Sequence, residues 1–525
     1  MKHKSTIGFS LLAVGFLYCF YLHITALNSL SDNGKPTVLI AHWQGERGCK
    51  EALQAVIDEY NQLHPETHVR QQIIVGAGSS FTRWCVTQII GGNPPDIMQY
   101  HAGFRSYLGN YFVGLGEYAD QPNPYTKGTE HESIPWKDTF YGGMSGNWEP
   151  QLMDYYSIPN TMYTKRFYYN KNIFRKATGS DKPPETMEEF IDICQQIETL
   201  GIIPVIVENA TGVLGVQFMT TILSQIGWSF EHDLDFNHDG MVQPQEFMRG
   251  VYVDGFEFSD ARLNAGLDLM QRFSRHWGKG FNAIDTTIAP FMFIQGKGAC
   301  YFGGSWLGRQ MLDSCEFDLG SFPFPLVTSD DPVAGDFYCG PWGENTKEPG
   351  MALAVSKGPN KHIAIDFLRF LTTRKNNSAF NAGPAWVPGV IGADITPAVR
   401  AFQPLIRGKS VGLFDGVRSF QIEYKRIIQN FLGDVYDRET ASVELAKNYR
   451  KTGRGDNLRA ARDSKRRLLK VEEIRNDVDR QRLYAKTPKE KKLLRDRLTK
   501  IYETQVYGLN SVYATFGTAA EVEGR

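Results

Sequence analysis

The sequence predicts an α/β protein, and the pattern of elements along its 525 residues leads to that class. Residues 36–43 (PTVLIAHW) form a short apolar run typical of a buried strand, and a helical pattern follows it. HVRQQIIV (68–75) predicts a second strand, a helical stretch covers 81–90, and DIMQY (96–100) predicts a third strand. This alternation of strands and helices favours a largely parallel sheet with helices on its faces.

The individual helices are supported by their apolar faces and their ends. The first helix carries one apolar face, formed by Leu53, Val56, Ile57 and Tyr60. HPE at 64–66 ends that helix. A later helix over 183–201 begins with Thr186 and Glu189, which are spaced as a capping box. The remaining predicted elements are the strands 202–207 and 351–357 and the helix 361–373.

Aromatic and amide side chains follow several of the predicted strands. Ligands in open α/β sheets bind beyond the carboxyl ends of the strands, so these side chains are candidates for a binding site. The segments concerned are HWQGE (42–46), QYH (99–101), YFGGSW (301–306) and CGPWGE (339–344).

The N-terminus has the composition of an export segment. Lys2 and Lys4 precede the apolar stretch Ile7–Leu27, and Ala26 is a candidate cleavage residue. The stretch has 21 residues, which is long enough to span a bilayer. Residues 1–28 are therefore either a cleaved signal peptide or a signal anchor, and both place the protein in the periplasm or at the cell surface.

Six cysteines follow this leader, at positions 49, 85, 194, 300, 315 and 339. Disulfides are permitted outside the cytoplasm, and the alternative is a set of buried free thiols. No Cys/His spacing typical of a zinc site occurs.

The charge is unevenly distributed. The net charge of the chain is −1, but residues 434–525 contain 22 Lys/Arg and 15 Asp/Glu, so a basic extension follows an acidic body. Two amphipathic helices are predicted in this extension, with a break at Thr487–Pro488 and apolar faces that contain Val471, Ile474, Val478, Leu494, Leu498 and Ile501. These helices either pack on the acidic body or lie on an anionic membrane, whereas export argues against a nucleic-acid partner.

DFNHDGMVQPQE (235–246) matches the twelve-residue EF-hand pattern, with Gly240 at its sharp turn. The candidate oxygen donors are Asp235, Asn237, Asp239, the Met241 carbonyl, Gln243 and Glu246. Val242 is apolar and can anchor the loop on a core. The loop has no second copy, and glycines limit its flanking helices, which argues against a calcium sensor. We therefore expect one structural Ca²⁺ ion.

Several segments, in the order in which the family has them, resemble family 1 extracellular solute-binding proteins of ABC importers, the family of the maltose-binding protein. They are YYSIPNTMYTKRFYYNKNIFRKA (155–177), FIQGKGACYFGGSW (293–306), FPFP (322–325), MALAVSKGPNKHIAIDFLRFL (351–371), and the N-terminal HPETHV (64–69) and GGNPPDIMQY (91–100). The resemblance runs from about residue 36 to residue 430. It implies a two-lobed periplasmic-binding-protein-like fold of type II, in which a hinge joins two α/β lobes around a ligand cleft.

By this analogy, lobe one comprises 36–158 and 339–372, and lobe two comprises 159–338 and 373–433. Residues 434–525, the helical C-terminal extension, depart from the family pattern. The resemblance further implies that a small solute, most often a sugar, is delivered to the membrane permease of an ABC importer. We expect a monomer.

A sugar cleft needs aromatic faces for the C–H surfaces of the ring and polar groups for its hydroxyls. The family-aligned candidates are Trp43, Gln44, Glu46, Tyr100, His101, Trp148, Trp306, Trp342, Glu344 and Trp386. Trp386 lies in the Gly/Pro-rich segment GPAWVPG, whose composition argues against a place in a core.

Two alternatives concern the same cleft. A secreted carbohydrate-active enzyme would use a pair of carboxylates, for which Glu46, Glu149 and Glu344 are the candidates. The second alternative is a receptor that binds a polyamine or a polyol phosphate. No GxSxG, HExxH or P-loop motif occurs, so we expect binding without catalysis.

Overall fold

A computed structural model describes residues 34–523, except for 77, 106, 150–151, 237–241, 243, 342–349, 405–410, 412 and 414–417. The leader therefore lies outside the described residues. The fold is α/β and contains two main sheets, which we call lobe one and lobe two together with the helices that cover them.

The sheet of lobe one has the strand order β2-β1-β3-β12-β6. β1 (Thr37–His42) runs parallel to β2 (His68–Ile73) and to β3 (Ile97–Gln99), as the alternating pattern predicts. β12 (Ala352–Val355) pairs antiparallel with β3 and with β6 (Ile158–Pro159), because the chain re-enters this sheet after it has built the other one.

The sheet of lobe two has the strand order β11-β8-β10-β9. β9 (Ile203–Ile206) and β10 (Gly298–Gly304) are parallel, whereas β8 (Lys165–Asn170) is antiparallel to β10 and to β11 (Leu319–Phe322). Two short antiparallel pairs complete the strands: β4 (Trp148–Glu149) with β5 (Asp154–Tyr155), and β7 (Thr161–Met162) with β13 (Val387–Pro388).

The helices cover both sheets and form the C-terminal extension. In lobe one and its return they are α1 (Cys49–Leu63), α2 (Ser79–Ile90), α3 (Leu108–Tyr111), α4 (Gly116–Ala119), α13 (Lys361–Leu371) and α14 (Arg374–Ala382). In lobe two they are α5 (Lys171–Thr178), α6 (Met187–Glu198), α7 (Val213–Ile226), α8 (Phe230–Leu234), α9 (Pro244–Tyr252), α10 (Ala261–Ser274), α11 (Ile288–Ile294), α12 (Gly308–Ser314) and α15 (Arg418–Leu432). The extension consists of α16 (Arg438–Tyr484) and α17 (Pro488–Glu523).

The helices begin, end and pack as their sequences predict. The apolar face of α1 is buried against the first sheet, and the helix ends at Leu63 before the HPE segment. The Thr186 side chain accepts a hydrogen bond from the Glu189 backbone, and the Glu189 carboxylate accepts one from the Thr186 backbone amide, which confirms the capping box of α6. The core of lobe two is rich in phenylalanine, and Phe167 lies at its centre against Phe190, Phe302 and Phe322.

The second segment assigned to lobe two, 373–433, divides between the lobes. α14 packs on α1, and Phe380, Trp386 and Val390 lie in the core of lobe one. The chain then crosses, since Val399 and Phe402 pack on the sheet of lobe two. The expected boundary at 373 is therefore about twenty residues too early, because the apolar side of α14 is buried by α1.

The extension forms two long helices that turn back on each other at Ala485–Thr487, as predicted. Val478, Leu498 and Ile501 are buried against Met153 of lobe one. The apolar face of the hairpin thus packs on the body of the protein. Within the described part of the chain, no helix combines the length and the apolar character needed to cross a membrane.

Candidate functional site

The carboxyl ends of β1 and β3 carry a group of side chains that we call the wall of lobe one. Trp43 comes directly after β1 and is half-buried. Its ring packs edge-on against the rings of Phe81 and His101, with distances between ring centres of 4.9 and 6.2 Å. Tyr100 follows β3 and is also half-buried. The family-aligned residues of these two strand ends therefore lie together, because neighbouring parallel strands end at the same edge of a sheet.

Gln44 joins this wall to the segment that leads into lobe two. Its side chain is 1% exposed, and its amide lies 2.8 Å from the Tyr163 hydroxyl. With the amide oxygen facing Tyr163 and Gln99, the amide nitrogen donates to Glu46 at 2.9 Å. This network orients the Glu46 carboxylate, and burial raises the pKa of Glu46.

A second group of side chains, which we call the wall of lobe two, lies at strand ends of the sheet of lobe two. Trp306 follows β10 and is half-buried, and its ring lies 5.5 Å from that of Tyr163. Gly304 makes this placement possible, because a Cβ there would lie 2.3 Å from the Trp306 ring. Arg47, which follows Glu46, pairs with Asp313 of α12 at 3.0 Å, so the two lobes contact each other at this point.

A buried polar group lies beside Trp306. Glu208 follows β9 and is 7% exposed; it accepts a hydrogen bond from the Tyr301 hydroxyl at 2.9 Å and pairs with Lys165 at 3.6 Å. The Lys165 ammonium lies 5.9 Å from the centre of the Trp306 ring. Burial lowers the pKa of Lys165, and Glu208 offsets part of that effect. The second wall thus combines an aromatic face with one acid and one base.

Three candidates have other surroundings than the sequence suggests. Trp386 is 0% exposed, and its Nε1 donates to the Trp306 carbonyl at 3.3 Å. The inference that its Gly/Pro-rich loop keeps it out of a core is wrong, since the loop folds onto α14 and its ring packs near Phe380. The hydrogen bond from Trp386 to the Trp306 carbonyl helps to hold Trp306 in position.

Trp148 faces the C-terminal hairpin, because Lys500 of α17 lies 4.1 Å from the centre of its ring. The Nδ1 atom of His101 lies 2.8 Å from the Thr82 hydroxyl. The same atom accepts a hydrogen bond from the Gly103 backbone amide at 3.1 Å, which caps a short helical turn. Trp342 and Glu344 lie outside the described residues, so the site is described without them.

Four residues of the two walls were missed from the sequence: Tyr163, Lys165, Glu208 and Tyr301. Glu208 could have been found, because it directly follows the predicted strand 202–207 and the rule of strand ends applies to it. Lys165 stands at the start of a strand, and it reaches the same edge only because β8 runs antiparallel to β10. That direction is not encoded in local spacing.

Of the carboxylates considered for catalysis, Glu149 is buried and paired with Arg105 at 3.0 Å. This ion pair lies near Tyr100, and burial raises the pKa of that tyrosine while Arg105 opposes the shift. Glu149 is therefore engaged in holding the wall of lobe one.

The ends of the predicted calcium loop are described, whereas Asn237, Asp239, Met241 and Gln243 lie outside the described residues. Asp235 is 8% and Glu246 is 0% exposed. Val242 packs against the core of lobe two, as its apolar character predicts. Among the described residues, no group of three or more His, Cys, Asp or Glu side chains is arranged to hold a metal ion.

Residues 46–378 match the family described as bacterial extracellular solute-binding protein, which is more than half of the chain. The chain belongs to this family. An exported solute-binding protein is consistent with the two lobes and with the side chains that their strand ends bring together.

Individual relatives support the same conclusion. An uncharacterised ABC transporter extracellular-binding protein of Pyrococcus horikoshii is 21% identical over 303 residues, which cover 55% of this chain and 61% of the relative. The chain thus spans less than two thirds of that relative's length. The solute-binding protein RafE in complex with raffinose matches with a TM-score of 0.54 and 14% identity over 79% of this chain and 100% of that chain. A chitin oligosaccharide binding protein matches with a TM-score of 0.53 and 15% identity over 80% and 99%, respectively. At these identities, the two structures establish the shared two-lobed fold.

Proposed function

We propose that this protein captures a mono- or oligosaccharide in the cleft between its lobes and delivers it to the permease of an ABC importer. The observation that carries this proposal is a pair of half-buried tryptophans at strand ends, Trp43 after β1 of lobe one and Trp306 after β10 of lobe two. Each has hydrogen-bonding side chains beside it, Gln44 and Glu46 on one wall and Lys165 and Glu208 on the other.

This arrangement suits the chemistry of a sugar. Its C–H faces can lie on the indole rings, while its hydroxyls exchange hydrogen bonds with carboxylates, amide and ammonium. Two of the similar structures support the sugar class, since one is described with raffinose and the other as a chitin oligosaccharide binding protein.

The polar groups of the two walls argue against the other ligand classes. A polyamine would meet the Lys165 ammonium next to Trp306, and a sugar phosphate would meet the carboxylates of Glu46 and Glu208. A neutral sugar meets neither obstacle, because hydroxyl groups bond both signs of charge.

Thermal unfolding across a panel of sugars, sugar phosphates and polyamines tests the proposal. A ligand at one hundred times its dissociation constant stabilises the folded state by about 2.7 kcal/mol. We expect such a shift with one class of sugar and no hydrolysis product by chromatography. A response confined to polyamines, or release of reducing ends, would contradict the proposal.

Calorimetric titration of variants with the sugar so identified then tests the walls. Trp43→Ala and Trp306→Ala should each weaken binding by about 2 kcal/mol, roughly thirtyfold, because each removes one stacking face. Trp84→Ala, at a half-buried tryptophan of α2, is the matched control and should leave the affinity unchanged.

We also propose that the loop 235–246 holds one structural Ca²⁺ ion. The burial of Asp235 and Glu246 at its two ends supports this, since buried carboxylates need compensating positive charge or hydrogen bonds. The ion would be held by these two carboxylates together with Asn237, Asp239, Gln243 and the Met241 carbonyl. Bound calcium would supply the charge that keeps the acidic side chains of the loop together.

A further inference from the structure

The base of the C-terminal hairpin is part of lobe two. Ala441, Leu445 and Tyr449 of α16 are 0% exposed in the core of that lobe. The Tyr449 ring meets Phe247 of α9 and Phe420 of α15 edge-on, each at 5.1 Å. The extension therefore completes the fold of lobe two and is not an appended tail.

The distal part of the same hairpin contacts lobe one. Arg497 of α17 donates to the Asp154 carboxylate at 2.8 Å. Lys500 lies 4.1 Å from the centre of the Trp148 ring and donates to the Tyr155 hydroxyl at 3.2 Å. Together with the apolar contact to Met153, these interactions seat the hairpin on the β4–β5 pair.

The Asp154 carboxylate occupies a site shaped to receive it. It is 7% exposed and accepts from the backbone amides of Gly116 and Tyr155 at 2.6 and 2.8 Å. A Cβ on Gly114 would lie 2.3 Å from this carboxylate, so the glycine is needed for the close approach. Lobe one thus fixes a buried negative charge, and the hairpin supplies the positive partner.

This contact lies one strand away from the cleft. β5, which carries Asp154, pairs with β4, in which Trp148 lies opposite Tyr155 and Glu149 opposite Asp154. Glu149 in turn holds Arg105, close to Tyr100 at the end of β3. A shift of the hairpin would therefore be transmitted to the wall of lobe one.

We propose that the hairpin connects the lobes in addition to the crossings of the chain between the sheets, and that Arg497 and Lys500 are positioning residues that set the separation of the cleft walls. The inference rests on the proposed function only in that the cleft is the place of binding. α16 has 47 residues and is about 70 Å long at 1.5 Å per residue, so it can span both lobes as one rigid element. With both ends anchored, the lobes cannot open further unless the contact at Asp154 and Trp148 is released.

Distance measurement by electron paramagnetic resonance tests this directly, without any solute. Nitroxide labels are placed at the exposed residues Lys127 of lobe one and Lys279 of lobe two, as Lys127→Cys and Lys279→Cys in a Cys339→Ser background. We expect Arg497→Gln and Lys500→Gln each to broaden the distance distribution and move it to longer values. Arg495→Gln, an exposed position of the same helix, is the matched control and should leave the distribution unchanged.

Arg497→Lys keeps the positive charge and should restore most of the original distribution. If Arg497→Gln fails to fold, Lys500→Gln decides, since it leaves the pair of Arg497 and Asp154 in place. Unchanged distributions in both Gln variants, with normal helix content, would overturn the proposal. Because no solute enters the experiment, this outcome is distinct from a failure to bind sugar.

Discussion

Cys339 differs from the other described cysteines in its surroundings. All six that follow the leader are free thiols in the structure, and Cys339 is the exposed one. Burial raises the pKa of Cys85 and of Cys315 to about 12, which suppresses their thiolate forms at neutral pH. Four of the six thiols are buried, Cys315 is half-buried and Cys339 is exposed, so the alternative of buried free thiols describes only part of the set.

We expect a thiol reagent to modify one cysteine in the native mature protein and six after denaturation, in agreement with the free thiols of the structure. The measurement is a colorimetric thiol titration followed by mass spectrometry of the modified peptide. The Cys339→Ser variant is the control and should lose the rapid reaction. A denatured titre below that of the reduced protein would show that disulfides form.

Arg497 and Asp154 also determine how stability depends on pH. Burial raises the pKa of Asp154, and the Arg497 guanidinium opposes that shift. The pKa of Asp154 is therefore higher in the folded protein than in the unfolded chain, where it is about 3.9. As a result, the free energy of unfolding falls as the pH rises from the unfolded pKa to the folded pKa. Without Arg497, the folded value rises further and the loss of stability grows.

Arg497→Gln should therefore destabilise the protein by about 3 kcal/mol at neutral pH and by less at acidic pH, because protonation of Asp154 removes the buried charge that has lost its partner. Chemical unfolding of the variant and the wild type at both pH values is the measurement. Adding Asp154→Asn should remove the difference between the two pH values. An equal loss at both would mean that the carboxylate stays ionised throughout.

At the scale of elements, the proposed calcium loop, residues 235–246, leads into α9 of lobe two. The loop ends at Glu246 in the first turn of α9, and α9 packs against both helices of the hairpin. Ordering of the loop should therefore stabilise the local structure around α9.

A chelator should lower the unfolding temperature of the wild type and leave its affinity for sugar unchanged. Glu246→Gln should lower the unfolding temperature to a similar extent and abolish the effect of the chelator, because Glu246 is the bidentate ligand of the EF-hand pattern. Asp330→Asn, at an exposed residue elsewhere in lobe two, is the control. Sugar affinity that appears only with calcium would instead make the loop a switch.

At the scale of the whole molecule, apolar clusters on both faces of each sheet form the core of each lobe, and two kinds of connection join the lobes. The chain crosses between the sheets near β6–β8, between β11 and β12, and again between Ala393 and Val399. The hairpin adds a connection through side chains at Arg497 and Lys500. Shared elements of this kind couple the unfolding of the two lobes.

Differential scanning calorimetry should accordingly show one unfolding transition for the wild type. Lys500→Gln should separate it into two, because it weakens the contact to lobe one while both cores stay intact. Arg495→Gln should retain a single transition. Two transitions in the wild type would mean that the lobes unfold independently of the hairpin.

Local spacing was enough to determine several features of this protein. The buried face of α1, the capping box of α6, and the two helices of the extension follow from residues that are neighbours in sequence, because helix periodicity and capping act within a few residues. Local sequence also predicted that Trp43, Gln44, Glu46 and Trp306 come just after strands. The segments that resemble the family predicted the division of the chain into two lobes.

Tertiary structure alone decided which partner each surface meets. Trp386 is buried because α14 returns to α1, and Trp148 lies under Lys500 because a helix more than three hundred residues later folds back onto it. Lys165 joins the cleft wall because β8 runs antiparallel to β10. Each outcome depends on pairing between distant segments, whose relative direction and distance leave no trace in the spacing of nearby residues.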